Sequence, residues 1–434
     1  MVLNLCPIPT SNLKLQLLTM KFYLLGLLFF LAQFITAQDY NDPNFDKPVS
    51  GYGSDGPYSP TKLETFNPEY LLRKVEIFHP VELENARPSI LYCHGYGGVE
   101  SSRISGLINF IVSKGYNFIF IPYPTVGVSI EERYSILLSG FKKAAREFPS
   151  MIDTTKIGVV GHSFGGGASF GVAHHLFSDL NWGSEGRFIY ANAQWYSFEL
   201  TQDDLLNFPE NTNLITMLFD DDVTNDHRLA ADIFNTISIP DENKDLLLLQ
   251  TDTINGYIYE ANHGVPNSTD AFDAYDYYVY YRLLDALSDY SFNDNEEGKV
   301  VALGDGSAEQ VTLPGDLKPL IHADSLSIFK PQSFYIFPCD TLLNPRVEYC
   351  YTATSSAEIS ENVISIFPNP FDEMLSISID GQKANEIMLY DFTGNLVLQQ
   401  SFLNKINLQN LPSGKYILQL LFDNHISSHQ ISKR

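Results

Sequence analysis

The stretch Lys156-Ile157-Gly158-Val159-Val160-Gly161-His162-Ser163-Phe164-Gly165-Gly166-Gly167 constrains this chain more than any other. A strand-like apolar run passes without a spacer into a serine flanked by glycines, and from there into a helix start. A G-x-S-x-G turn between strand and helix holds its serine in a strained backbone conformation. Glycines on either side remove the Cβ atoms that would strike the neighbouring elements. The turn lifts the hydroxyl into solvent beside a helix amino end, where a developing negative charge is stabilised. The plainer reading is a Gly-rich turn that packs a helix closely on a sheet. A strand before it and a helix after it favour a nucleophile at Ser163.

The flanking sequence repeats the same alternation. Strands are predicted at Lys74–His79, Ser89–Cys93, Asn117–Tyr123, Lys156–Val160, Phe188–Ala193, Leu214–Phe219 and Leu246–Gln250. Their near-continuous apolar character suits strands covered on both faces. Between them run helical patterns at Ser102–Lys114, Ile130–Phe148, Gly165–Phe177 and Asp226–Ile237, and a Tyr-rich one follows near Asp270–Ser288. Alternation of this kind predicts an α/β domain over 67–291 with a doubly wound, mostly parallel sheet. Residues 38–66, rich in Asp, Asn, Pro, Gly and Tyr, read as an irregular arm. Residues 292–357 break the alternation and read as an extension packed on the α/β domain or as a bridge. Residues 358–434 form the last segment. From Ile364 onward, short apolar runs (Leu375–Ile379, Ile387–Tyr390, Leu396–Leu398, Tyr416–Phe422) are separated by turns such as Phe392–Asn395 and Leu411–Gly414. That spacing predicts a small all-β, Ig-like sandwich.

Composition narrows the function classes. With 44% hydrophobic and 18% charged residues, the 434-residue chain can bury large cores and is not predominantly disordered. A net charge of -25 argues against binding nucleic acid or an anionic membrane through bulk electrostatics. Residues Met20-Lys21-Phe22-Tyr23, the apolar run Leu24–Ile35 and then Thr36-Ala37-Gln38 make a signal peptide with cleavage after Ala37. Residues 1–19 read as an upstream extension. A buried or membrane helix is the alternative, but polar sequence follows the run at once. Among four cysteines, Cys6 lies in this leader and Cys93 in a predicted buried strand. In an exported protein, Cys339 and Cys350 could form one disulfide or remain two thiols.

An acyl-transfer site also needs oxyanion donors, a base and an acid. The strand Ser89–Cys93 ends in His94-Gly95-Tyr96-Gly97-Gly98. Such a loop can turn a backbone N–H toward a reacting carbonyl, and the residue after the nucleophile supplies a second. The expected donors are therefore the amides of Tyr96 and Phe164, with His94 a structural residue of the loop. The base comes last in chain order. Of ten histidines, His263 alone combines that order with a loop setting before the last helix. For the acid, the strand Leu214–Phe219 runs into Asp220-Asp221-Asp222. Asp222 is the first choice and Asp221 the second. A solvated turn or a calcium site is the alternative for this cluster. Asp226 and His227 are expected to begin the next helix. This chemistry requires no metal or organic cofactor.

With these parts assembled, residues 68–290 resemble the α/β-hydrolase superfamily. Ile152–Gly167 and Gly95-Tyr96 are similar to the dienelactone-hydrolase-like and bacterial cutinase or polyester-hydrolase group. The resemblance implies a substrate platform for an acyl or aryl group, walled by Tyr96 and Trp195. The alternative for Trp195 is a packed core aromatic. Phe164 stands where that group usually has methionine, and the loop around Thr251–Gly256 is longer and more polar. Residues 363–434 resemble the C-terminal sorting domain of type IX secretion cargo through Ile366-Phe367-Pro368-Asn369-Pro370-Phe371, Leu389-Tyr390-Asp391-Phe392-Thr393-Gly394 and Leu411-Pro412-Ser413-Gly414-Lys415-Tyr416. That resemblance implies export across both membranes of a Gram-negative bacterium, with the type IX translocon as partner. An adhesive or carbohydrate-binding sandwich is the alternative. The function expected is a secreted serine hydrolase of carboxylic esters, possible variants being cutinase-like or polyester-cleaving. A serine peptidase on the same scaffold, or a non-catalytic binding protein, are the competing readings.

Overall fold

A computed structural model describes residues 39–265, 267, 272–323, 329–350, 363–380, 383–391, 396–422 and 426–434. The leader, expected over 1–37, lies outside the described residues. Eight strands come first: β1 (Pro60–Asn67), β2 (Tyr70–Pro80), β3 (Arg87–Cys93), β4 (Asn117–Phe120), β5 (Ile152–His162), β6 (Gly186–Asn192), β7 (Thr212–Phe219) and β8 (Lys244–Leu249). A hairpin of β9 (Asp252–Ile254) and β10 (Tyr257–Tyr259) follows, and later β11 (Ile321–His322). The main sheet has nine strands in the order β1-β2-β4-β3-β5-β6-β7-β8-β11. From β4 to β8 all pairings are parallel, whereas β1, β2 and β11 join antiparallel at the edges.

Side chains alternate across this sheet because successive Cβ atoms point to opposite faces. Ile90, Tyr92, Phe118 and Phe120 enter one core with α1 (Ser105–Ser113). Leu91, Cys93, Ile119 and Val159 enter the other with α2 (Ile130–Glu147) and α3 (Phe164–His174). This is why these strands read as unbroken apolar runs. The short helix α4 (Gln202–Leu206) and α5 (Arg228–Thr236) add to the second core through Leu205 and Ile233. A π-helical stretch Tyr275–Tyr281 continues into α6 (Arg282–Asn293) on the first. The Tyr-rich helix therefore runs further than Ser288, and the start expected at Asp270 lies outside the described residues.

The chain passes from β3 to β4 on one side and returns to β5 on the other, so the strand order reverses at β3. Clefts at the carboxyl ends of such a switch are where open α/β sheets hold ligands. In register, Cys93 is beside Gly161, and His162 is beside Asn192. The loops that begin at His94 and Ser163 therefore leave adjacent strands at the same edge.

One segment boundary differs from the expectations. The arm is irregular only through Ser59, since Pro60–Asn67 pairs with β2. Its alternating exposed and buried residues resemble coil in sequence because only one side is covered. Further back, the arm is clasped onto the body. Asp42 accepts hydrogen bonds from the Tyr259 hydroxyl at 2.8 Å and the Ala274 amide at 2.8 Å. Residues from 292 onward are packed on the α/β domain through α7 (Glu296–Ala302), α8 (Ala308–Val311) and β11. Arg346 grips Asp232 on α5 at 2.7 and 3.0 Å, both side chains buried, and Cys339 and Cys350 are joined as a disulfide.

The last segment folds as two antiparallel sheets. One holds β12 (Val363–Phe367), β13 (Met374–Asp380) and β16 (Lys405–Asn407); the other holds β14 (Glu386–Asp391), β15 (Leu396–Ser401), β17 (Gly414–Leu421) and β18 (Ile426–Lys433). Leu375, Ile377 and Ile406 of the first meet Leu389, Leu418 and Ile431 of the second in a shared core. The Phe392–Asn395 turn lies outside the described residues. Among the described residues, no helix is long and apolar enough to cross a membrane.

Candidate functional site

Ser163 sits between β5 and α3 with φ 57°, a left-handed conformation that costs a non-glycine residue strain. Three backbone bonds hold it there: its amide donates to Asn192 O at 3.0 Å, and its carbonyl accepts from Trp195 at 2.9 Å and Gly167 at 3.1 Å. The glycines around it are sterically required. A Cβ at Gly161 would collide with the Gly165 carbonyl, and one at Gly165 with the Cys93 carbonyl.

The serine hydroxyl meets His263 Nε2 at 2.9 Å. On the other side of the ring, Nδ1 meets Asp222 Oδ2 at 2.9 Å. Asp222 is fully buried, and its second oxygen accepts amides of Thr224 at 2.7 Å and Asn225 at 3.2 Å. Burial acts to raise this carboxyl's pKa. The charge and hydrogen bond of His263, with His227 and the Thr224 amide, outweigh it and hold Asp222 below the usual carboxylate value. The runner-up Asp221 is not the partner. Its side chain is exposed, while its amide donates to Ala261 O at 2.9 Å and ties the acid loop to the histidine loop. Asp220 pairs with Lys330 at 3.2 Å, so the three aspartates diverge rather than converge on one ion.

His162 makes a second tie. Its Nε2–H donates to the His263 carbonyl at 2.7 Å. Burial, then the neighbouring His263, push its pKa down to about 3, so the ring is neutral and suited to that role. His94 is structural, as expected. Its Nδ1–H donates to Gly95 O at 2.7 Å, its Nε2 accepts the Tyr123 amide at 3.2 Å, and burial pushes its pKa to about 4. Asp226 and His227 precede α5; Asp226 Oδ2 accepts the Cys339 amide at 3.0 Å and so anchors the segment after 330.

Ser163 opens on a cavity of about 380 Å³. Both residues expected to supply oxyanion amides, Tyr96 and Phe164, line it. Phe164 is the first residue of α3, where an amide has no partner within its own helix. Tyr96 lies in a turn closed by Gly98 N to Gly95 O at 3.1 Å. Both expected platform residues also line the cavity: Tyr96, and Trp195 packed between Phe164 and Phe198. Most of the other wall residues escaped the sequence reading, among them Arg133, Phe337, Leu342 and Leu343. The last three arrive from the extension and carry no local signal of that position. Lys415, on β17, also lines the rim. The arrangement has the parts for nucleophilic acyl transfer: a hydroxyl, a base that can take its proton, and a buried acid behind the base.

Residues 365–434 match the family model described as the secretion system C-terminal sorting domain. A tail of this family marks the chain for export by type IX machinery to the cell surface or the medium. A comparison with curated proteins returns no match.

Proposed function

We propose that this chain is an exported serine hydrolase that cleaves carboxylic esters, its residues 67–291 forming an α/β-hydrolase domain. The observation that carries the reading is the relay of two 2.9 Å contacts, Ser163 to His263 to Asp222, ending in a fully buried carboxylate. In this reading His263 Nε2 takes the Ser163 proton as Oγ bonds to the acyl carbon. The amides of Tyr96 and Phe164 stabilise the oxyanion, and Asp222 stabilises the imidazolium. His263 returns the proton to the departing alcohol, and water then cleaves the acyl-enzyme by the same steps.

The test is labelling of the purified chain with a fluorophosphonate, together with hydrolysis of short esters. Ser163→Ala should lose both while its circular dichroism spectrum and melting curve stay those of the parent. Turnover by Ser163→Ala at the parent rate would refute the reading.

A further inference from the structure

The cavity beside Ser163 is mostly apolar, lined by Val128, Ile130, Phe164, Trp195, Phe198 and Phe337. Into that wall is set the guanidinium of Arg133, only 4% exposed. It comes from the first turn of α2, fixed by the capping box of Ser129 and Glu132. Its Nη2 donates to Thr125 O at 2.7 Å, and its Cζ lies 5.0 Å from the centroid of the Phe164 ring. Nε is buried without an acceptor, and Nη1 makes no hydrogen bond among the described residues. Among the described residues no carboxylate pairs with it, and burial acts against its charge.

A guanidinium cannot shed its proton, and burying one without a counter-anion is unfavourable unless a ligand supplies the charge. The chain has 52 acidic residues against 27 basic ones, so a carboxylate partner was abundantly available in composition, yet none of the described ones is placed here. Trp195, on the same wall, has a buried Nε1 that also finds no acceptor among the described residues. The buried guanidinium in a mostly apolar cavity, with Lys415 at the rim as a second cation, calls for an anionic acceptor carried on an apolar body.

We propose that Arg133 selects esters that carry a second, free carboxylate at the far end of an apolar spacer: half-esters of dicarboxylic acids. This rests on the ester-hydrolase reading and adds the substrate class. The spacer lies against Phe164, Trp195 and Phe337 while the reacting carbonyl faces Ser163, and the far carboxylate neutralises Arg133 with charge-assisted hydrogen bonds.

The test compares monomethyl adipate with dimethyl adipate, using the full mature chain and following acid release by titration at constant pH. The parent should favour the half-ester by about 10-fold or more in kcat/KM, the range expected for hydrogen bonds to a charged group. Arg133→Gln should collapse that ratio, mainly through the KM of the half-ester, and Arg133→Lys should restore part of it. A parent ratio at or below one overturns the proposal and needs no variant to fold. A ratio left unchanged by Arg133→Gln overturns it too. Inhibition by hexanoate as strong as by adipate would mean that Arg133 serves only the product carboxylate, which also overturns it. Calorimetric binding of both esters to Ser163→Ala keeps the two readings separable. If no ester is turned over, half-ester binding that depends on Arg133 sustains this inference while the hydrolase reading falls. Turnover with no preference between the two esters does the reverse.

Discussion

His263 is oriented by two partners that differ in kind: the Asp222 carboxylate holds its ring, and the neutral His162 ring holds its backbone carbonyl. An amide at 222 can still bond Nδ1 but carries no charge to stabilise an imidazolium. Asp222→Asn should therefore lower kcat for ester hydrolysis by about 10³–10⁴-fold with little change in KM. Asp221→Asn should leave kcat within about 2-fold, since that side chain is exposed. Equal losses in the two variants would show that the acid has been misassigned. Ser163 and Asp222 were legible because each closely follows a strongly patterned strand, and His263 because the chain order of nucleophile, acid and base leaves few choices. Arg133 was not. In sequence it is one charge following Glu131 and Glu132 at a helix start, and nothing local says that this charge alone is buried.

At the scale of elements, the segment 335–350 is held by three devices. Its backbone pairs with the acid loop (Ile336 N to Val223 O and Phe337 N to Thr224 O, both 2.8 Å), the Cys339–Cys350 bond closes it, and Arg346 anchors it to α5. Arg346→Ala leaves the Asp232 carboxylate buried without its partner and should cost about 3–5 kcal/mol in urea unfolding. A loss under about 1 kcal/mol would mean that the pair is solvated in solution. The main strands were legible to within a few residues because both faces are covered and the sequence has no polar side to confuse it. The contribution of 335–343 to the cavity was not, because it depends on a chain return across more than 170 residues from Ser163. The Cys pair hinted only that 339 and 350 could meet. It gave no sign of which surface they would close over.

For the molecule as a whole, two buried imidazoles contribute a loss of stability in acid. His94 and His162 have folded pKa values near 4 and 3, below the ordinary 6.5 expected once unfolded. Between these values the unfolded chain holds more protons than the folded one. Their contribution is thus full above pH 6.5 and declines as pH falls toward 4 and then 3. Urea midpoints measured from pH 7.5 to 4.5 should fall steadily over the lower part of that range, with a shallower slope in His162→Asn. Buried carboxyls such as Asp276, whose pKa is raised by burial, contribute the opposite sign, so the deciding comparison is the parent against His162→Asn: equal slopes would contradict the burial of that ring. The sorting tail gives a prediction at the same scale: a chain ending at residue 357 should accumulate in the periplasm, whereas the full chain reaches the medium or the cell surface. Equal extracellular yields would show that the tail is dispensable for transport.

The clasp at Asp42 bears on when the pieces can come together. Its partners Tyr259 and Ala274 lie more than 200 residues downstream and flank the loop of His263. A polypeptide threaded amino end first through a pore cannot close that clasp until residue 274 has emerged, so the residues around Asp42 must wait for a segment more than 200 positions later. The histidine loop is therefore among the last parts to be pinned. A purification tag fused at residue 39 would hang beside it.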